Sequence, residues 1–317
     1  MKDRIRIKVL MVAGIILFFL SYSSFLLPER LVRAEILVFF HAVFDMGIIM
    51  VCESMTLKLR KKSLVGTLLK NRKNLISFVA ISTLGGIILE SVANWSGKLW
   101  IYPNFGPIFY LFLFIPIFIV YWLAIVESYL AVKAVIDYKR KGKEIITKPY
   151  RFEKRIYNVV GFVGLLLFVL SLLIIYFSYL GQSAKFIGPE DITFVSDNFR
   201  ISFSMVITLS FAIWFILEFI EHKRKKNSLI KDIVHDYFSP ILSIFLGASA
   251  LAFLMETQNL AFPWWLYVNW PYQSLQVFGL PILIFLCWPL HYVIFLSLFR
   301  AFSDEDSDEI WRGDLIK

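Results

Sequence analysis

Eight separate stretches of this chain are long and apolar enough to cross a bilayer, and they limit the fold more than any other feature. They run over 9–27, 34–57, 75–95, 107–136, 156–180, 199–220, 238–257 and 274–300. A spanning helix needs about 20 mostly apolar residues. Lipid offers no water to satisfy backbone N–H and C=O groups, so helices or closed barrels are the only stable spans. Runs of this length are too long and too uniformly apolar for the roughly 10-residue alternating strands of a barrel. The expected fold is therefore all-α, a polytopic membrane protein of about eight transmembrane helices. Composition agrees: hydrophobic residues make up 58% of the 317 and charged residues 18%, against about 45–50% and about 25% in soluble domains. Disorder, a collagen-like fibre and a disulfide-stapled scaffold are excluded by the same numbers. Cys52 and Cys287 each lie inside an apolar run, so no disulfide framework follows.

The Lys and Arg residues alternate from one connection to the next. The N-terminus and the connections after spans two, four and six hold 24 of the 33, including Lys58–Lys62, Lys139–Lys143 and Lys223–Lys226. The other connections carry only Arg30, Arg33, Lys98, Lys185 and Arg200. Basic connections stay on the cytoplasmic side, so the expectation is a multi-pass cell-membrane protein with both termini cytoplasmic. The net charge of +9 is then a topology signal beside anionic lipid and calls for no nucleic-acid partner. Span one, followed by Ser21–Ser24 and Pro28 without an A-x-A site, is expected to be retained rather than cleaved.

The two halves match at a fixed offset of 165. Glu53, Lys58, Arg60, Lys61, Ser63 and Leu64 fall on Glu218, Lys223, Lys225, Lys226, Ser228 and Leu229, and Asn94, Trp100, Tyr102, Asn104 and Pro116 fall on Asn259, Trp265, Tyr267, Asn269 and Pro281. The shared pattern is N-x5-W-x-Y-x-N-x11-P. A glutamate precedes it in each copy (Glu90, Glu256) and a tryptophan follows (Trp122, Trp288), both out of step by one residue. The expected organisation is two parallel four-helix repeats, 1–152 and 153–317, in one membrane domain. The first two spans of each unit barely match at this offset. Pro116 and Pro281 are expected to bend spans four and eight.

Ionisable groups within spans are costly, about 2.5–3.5 kcal/mol near the centre, and mark candidate sites. His41 and Asp45 lie one helical turn apart, which suits a hydrogen-bonded proton-transfer pair or an interhelical clamp. Glu127 and His291 are candidate partners across the repeat. Glu53 and Glu218 are expected to be neutralised by the adjacent lysines. Glu90 and Glu256, each at the end of a helix that leads into an aromatic loop, are the candidate acids. Asn94, Trp100, Tyr102, Asn104, Asn259, Trp265, Tyr267 and Asn269, with Trp264 and Trp270, form either a substrate pocket or a shared turn within an interfacial aromatic belt. No metal-ligand spacing, P-loop, nucleophile elbow or dinucleotide fingerprint is present, so neither a metal nor a cofactor is expected.

The stretch Glu90-Ser91-Val92-Ala93-Asn94, Trp100-x-Tyr102, Ile115-Pro116 and Tyr121-Trp122 resembles membrane-bound carotenoid-biosynthesis proteins. The likeness is to the carotenoid 1,2-hydratase type and, more loosely, to integral-membrane lycopene cyclases. It covers about 35 residues per copy by the spacing of the motif. The family's glycine-rich element reads Lys98-Leu99-Trp100-Ile101-Tyr102 here, and the cyclases' acidic Pro-Glu pair is absent. The resemblance implies an isoprenoid substrate drawn from lipid, protonated at an alkene by Glu90 or Glu256, with aromatic faces stabilising the cation. The rival readings are a small-solute or lipid transporter, with His41, Asp45, Glu127 and His291 as its polar groups, and a membrane scaffold.

Overall fold

The computed structural model describes residues 2–26, 33–103, 107–139, 153–183, 200–226, 228–235, 238–260, 263–272 and 274–302. Asn104, most of the basic connection after span four and the linker 184–199 lie outside the described residues. The helices are α1 (Lys2–Ser21), α2 (Ala34–Arg60), α3 (Leu64–Lys70), α4 (Arg72–Leu89), α5 (Pro107–Lys139), α6 (Glu153–Ser183), α7 (Phe203–Lys223), α8 (Leu229–Val234), α9 (Ser239–Asn259) and α10 (Leu283–Phe302). All but the short α3 and α8 are long and apolar enough to cross a membrane, which makes eight among the described residues. This is an all-α polytopic membrane protein.

Span eight differs from the sequence expectation. It starts at Leu283, and the preceding apolar residues form a hairpin, β3 (Gln276–Val277) against β4 (Leu280–Pro281). Phe278 and Gly279 both have positive φ, 55° and 78°, which gives the two-residue turn whose twist suits paired strands. Pro281 therefore ends a strand, and Pro289 is the proline inside α10. Pro116 does lie inside α5.

Helix α1 packs on α2, and α6 on α7; α2 in turn packs on α5, and α7 on α10. Helices α5 and α10 each touch both α4 and α9, so each half has the same set of neighbours. The α1–α2 contact is nearly backbone on backbone, because a Cβ on Gly47 would lie 2.7 Å from the Phe18 nitrogen. In α6, a Cβ on Gly164 would lie 3.0 Å from Ile216 N of α7. Val9, Gly14, Leu17, Phe18, Leu20 and Ser21 of α1 recur as Val159, Gly164, Leu167, Phe168, Leu170 and Ser171 of α6 at an offset of 150, not 165. The glycine and the serine are buried in both helices. The linker before α7 is longer than the one before α2, and that extra length hid the match. The outer faces of these helices are apolar, with Phe19 and Phe162 each 67% exposed, as a lipid-facing surface requires.

Helices α3 and α8 begin at Ser63 and Ser228, whose hydroxyls accept from Gly66 N and Lys231 N at 2.7 and 3.2 Å. The Ser63 hydroxyl donates to Glu53. Glu218 accepts from Leu229 N and Ile230 N at 3.1 and 3.2 Å. Both acids are buried, and what holds them is the start of a short helix, a partner the lysine-neutralisation expectation did not include.

Candidate functional site

The two W-x-Y segments pair with each other. Strands β1 (Trp100–Ile101) and β2 (Leu266–Tyr267) run antiparallel, with Trp100 opposite Tyr267 and Ile101 opposite Leu266. Ile101 and Leu266 are equivalent positions at the offset of 165, so the centre of one motif meets the centre of the other. Leu99 O accepts from Val268 N at 2.9 Å and from Trp270 Nε1 at 2.7 Å, and Lys98 O accepts from Asn269 Nδ2 at 2.8 Å. Asn269 and Lys98 both adopt positive φ. Asn269 thus shapes the loop.

Beneath β1, Trp100 Nε1 donates to Tyr102 Oη at 2.9 Å, and Tyr102 donates to Glu90 Oε1 at 2.8 Å. The second oxygen of Glu90 accepts from Asn94 Nδ2 at 2.6 Å. Beneath β2, Tyr267 donates to Glu256 Oε1, while Oε2 has no hydrogen-bond partner. Asn259 holds the backbone of the loop. Its Oδ1 accepts from Trp264 N at 2.7 Å, and its Nδ2 donates to Trp265 O at 2.9 Å.

The backbone explains why Glu90 is out of step by one residue. Four residues separate Glu90 from Asn94 in numbering, and three separate Glu256 from Asn259. The extra residue is taken up by a π-helical turn over Glu90–Ser96, where α9 continues as an α-helix to Asn259. Such turns absorb one inserted residue and recur at functional sites.

A cavity of about 200 Å³ lies below the paired strands. Its walls include Glu90, Trp100 and Tyr102 from the first half and Trp265, Tyr267 and Trp270 from the second. Its floor carries Tyr121, Trp122, Trp288 and His291. The Trp122 ring stacks on Phe295 with centroids 3.7 Å apart, and Tyr121 Oη lies 3.3 Å from His291 Nδ1. His41 also reaches the cavity wall, with its ring 4.3 Å from Trp264 and its Nδ1 3.3 Å from Gln258 Oε1. Its Nε2 lies 3.6 Å from Asp45 Oδ2, a close approach but longer than the expected hydrogen bond. Asp45 is fully buried behind it. Asn94, Asn259 and Asn269 serve the glutamate or the loop and do not line the cavity. No hydrogen bond joins Glu127 to His291; the Glu127 carboxyl lies against that of Glu53.

Sequence reasoning passed over Gln258, and also Lys133, Asp137 and Arg300 at the basic end. The last three are charges inside apolar spans, a signal that was legible. Among the described residues no group of three metal-type ligands forms. The arrangement offers an acid with two hydrogen-bond donors aimed at it, set in an aromatic and otherwise apolar chamber. Compared with family models, curated proteins and solved structures, the chain matches none.

Proposed function

We propose that this protein is a membrane enzyme that takes the end of an isoprenoid or carotenoid chain into the aromatic cavity and protonates a double bond there, as a hydratase or a cyclase. The observation that carries this reading is the placement of Glu90, with Tyr102 and Asn94 both donating to it, on a cavity walled by tryptophan and tyrosine. An apolar cavity of roughly 150 Å³ takes a benzene-sized guest. The cavity here therefore suits one end of a chain whose remainder lies in lipid.

The chemistry balances on these groups. The Glu90 proton goes to one alkene carbon, the π pair forms the new C–H bond, and the neighbouring carbon becomes a tertiary cation. Glu90 is left as a carboxylate, and Tyr102 and Asn94 already point at the oxygens where that charge appears. The indole faces of Trp100, Trp265 and Trp270 supply the opposite sign to the cation. Attack by water or by an internal alkene, with loss of a proton back to Glu90, completes the cycle.

The repeat organisation belongs to the same proposal: residues 1–152 and 153–317 are two parallel copies of one four-helix unit about an axis along the membrane normal. The basic connections support an orientation with both termini in the cytoplasm and the paired strands at the opposite face of the cell membrane. Cysteines introduced at positions 61 and 140 should label from the cytoplasm and one at 185 from outside; the reverse would end this orientation. A proton-coupled carrier is the rival. Its support is that Asp45 is buried with no hydrogen-bond partner on its oxygens, that Glu127 is buried against Glu53, and that neither has a part in the enzyme scheme.

The deciding experiment is incubation of the purified protein with acyclic carotenoids in deuterated water. Deuterium-bearing hydrated or cyclised product, absent with Glu90→Gln, supports the enzyme. Unchanged substrate together with uptake into proteoliposomes supports the carrier.

A further inference from the structure

The cavity has a small neighbour, bordered by the same His41, Trp264 and Trp265. A void of about 20 Å³ is bounded by Met255, Gln258, Trp264, Trp265 and His41, together with their neighbours. At offsets of 165 or 166 these five positions correspond to Leu89, Val92, Leu99, Trp100 and Val206, all on the wall of the large cavity. Five positions around the void thus match five on the wall of the cavity, the first set around a nearly full space and the second around an open one; His41, Trp264 and Trp265 border both.

Three of the five correspondences change in kind. Trp264 stands where the first half has Leu99, Gln258 where it has Val92, and His41 where it has Val206. The three newcomers hold one another. Gln258 Oε1 lies 3.3 Å from His41 Nδ1, Gln258 Nε2 donates to Phe40 O at 3.2 Å, and the Trp264 ring lies against the His41 ring. Asn259 fixes the backbone of Trp264 from below. The void that remains has room for about one water. Glu256, in the same stretch of α9, is buried and keeps an oxygen with no hydrogen-bond partner, whereas both Glu90 oxygens accept donors.

We infer that the chain contains a second, closed copy of its apolar-chain site beside Glu256, with Trp264 as the plug, and that Glu90 is the single working acid. This inference rests on the reading of the large cavity as the site of an apolar chain end. Trp264 borders both spaces, together with His41 and Trp265. A leucine there would give the second half the profile that the first half already has.

The test uses the full-length protein in detergent and a farnesyl diazirine photoprobe, with intact mass to count adducts and peptide mapping to place them. The wild type should carry one adduct, on 85–103, 203–213 or 264–270, the segments that line the open cavity. Trp264→Leu should carry two, the second on 37–40 or 255–259, which border the small void alone. Leu99→Trp, which installs the plug in the open site, should lower labelling of 85–103 at least tenfold with an unchanged melting curve. Labelling around Glu90 with no second adduct in a folded Trp264→Leu, or labelling untouched by Leu99→Trp, overturns the inference and leaves the proposed function standing. Two adducts on the wild type do the same. A wild type that takes no specific label in any of these segments removes both.

Discussion

The two ends of this molecule bury polar groups for opposite purposes. At the aromatic end, Glu90 accepts two hydrogen bonds from neutral donors and still faces open space. At the basic end, several full charges are buried, but they are bound to neighbours. Lys133 Nζ lies 2.7 Å from Asp137 Oδ2, Ser239 donates to Asp137 Oδ1 at 2.6 Å, and Arg300 Nη2 donates to the Tyr129 hydroxyl at 3.2 Å. Glu53 and Glu218 hold the starts of α3 and α8. Burying charge is expensive, so a buried ionisable group is commonly paired, as at the basic end, or set on a cavity, as at Glu90; Asp45, buried off the cavity with no hydrogen-bond partner, is neither. The presence of a cavity separates the two uses; the amount of charge does not.

That contrast breaks most sharply at Glu90. Glu90→Gln should reduce turnover by about 10²–10⁴-fold, the usual contribution of a general acid, and leave the melting temperature in place. A melt that drops with activity would move Glu90 into the same class as the basic-end charges. Lys133→Met should do the reverse. It leaves Asp137 buried without its cation, at a cost of about 3–5 kcal/mol, read as a lowered melt and reduced yield. Lys133→Met combined with Asp137→Leu should recover most of that loss, and failure to recover would mean the pair is needed for more than charge balance.

A smaller effect is expected at Trp100. Cation stabilisation in a dry site reaches about 2 kcal/mol, so Trp100→Phe should slow turnover about thirtyfold. An interfacial belt residue would tolerate this change, so full activity removes the aromatic-wall mechanism. The smallest predicted effects are at Ser63 and Ser228. Loss of either cap by Ser→Ala should cost about 1 kcal/mol, and equally in the two halves. Markedly unequal losses in thermal melts would show that α3 and α8 are not doing the same job.

Much of the fold was legible because it depends on length and composition alone. Twenty apolar residues have few options in lipid, so the spans could be counted from the sequence. The start of span eight could not be read this way, since residues 274–282 are apolar enough to pass as helix. Only the Phe278–Gly279 turn shows that they fold back. The offset match marked the W-x-Y segments as related but did not imply that they pair, because equivalence in sequence carries no information about contact. Glu90 and Glu256 looked misaligned until the π-helical turn accounted for the extra residue. The cavity was the least legible feature. Its wall is built from rings contributed by several helices far apart in the chain.

The pairing of Ile101 with Leu266 also sets a sequence of events. Spans inserted one after another reach the bilayer as independent helices and associate afterwards. Tyr102 and Glu90 are in the membrane while half the chain is still unmade, but the partner strand that roofs them ends at Tyr267. A nascent chain therefore carries its acid without the chamber, and the chamber closes only as the last span follows. Glu90 gains its surroundings only at the end of synthesis, and a chain truncated before Leu266 never roofs it.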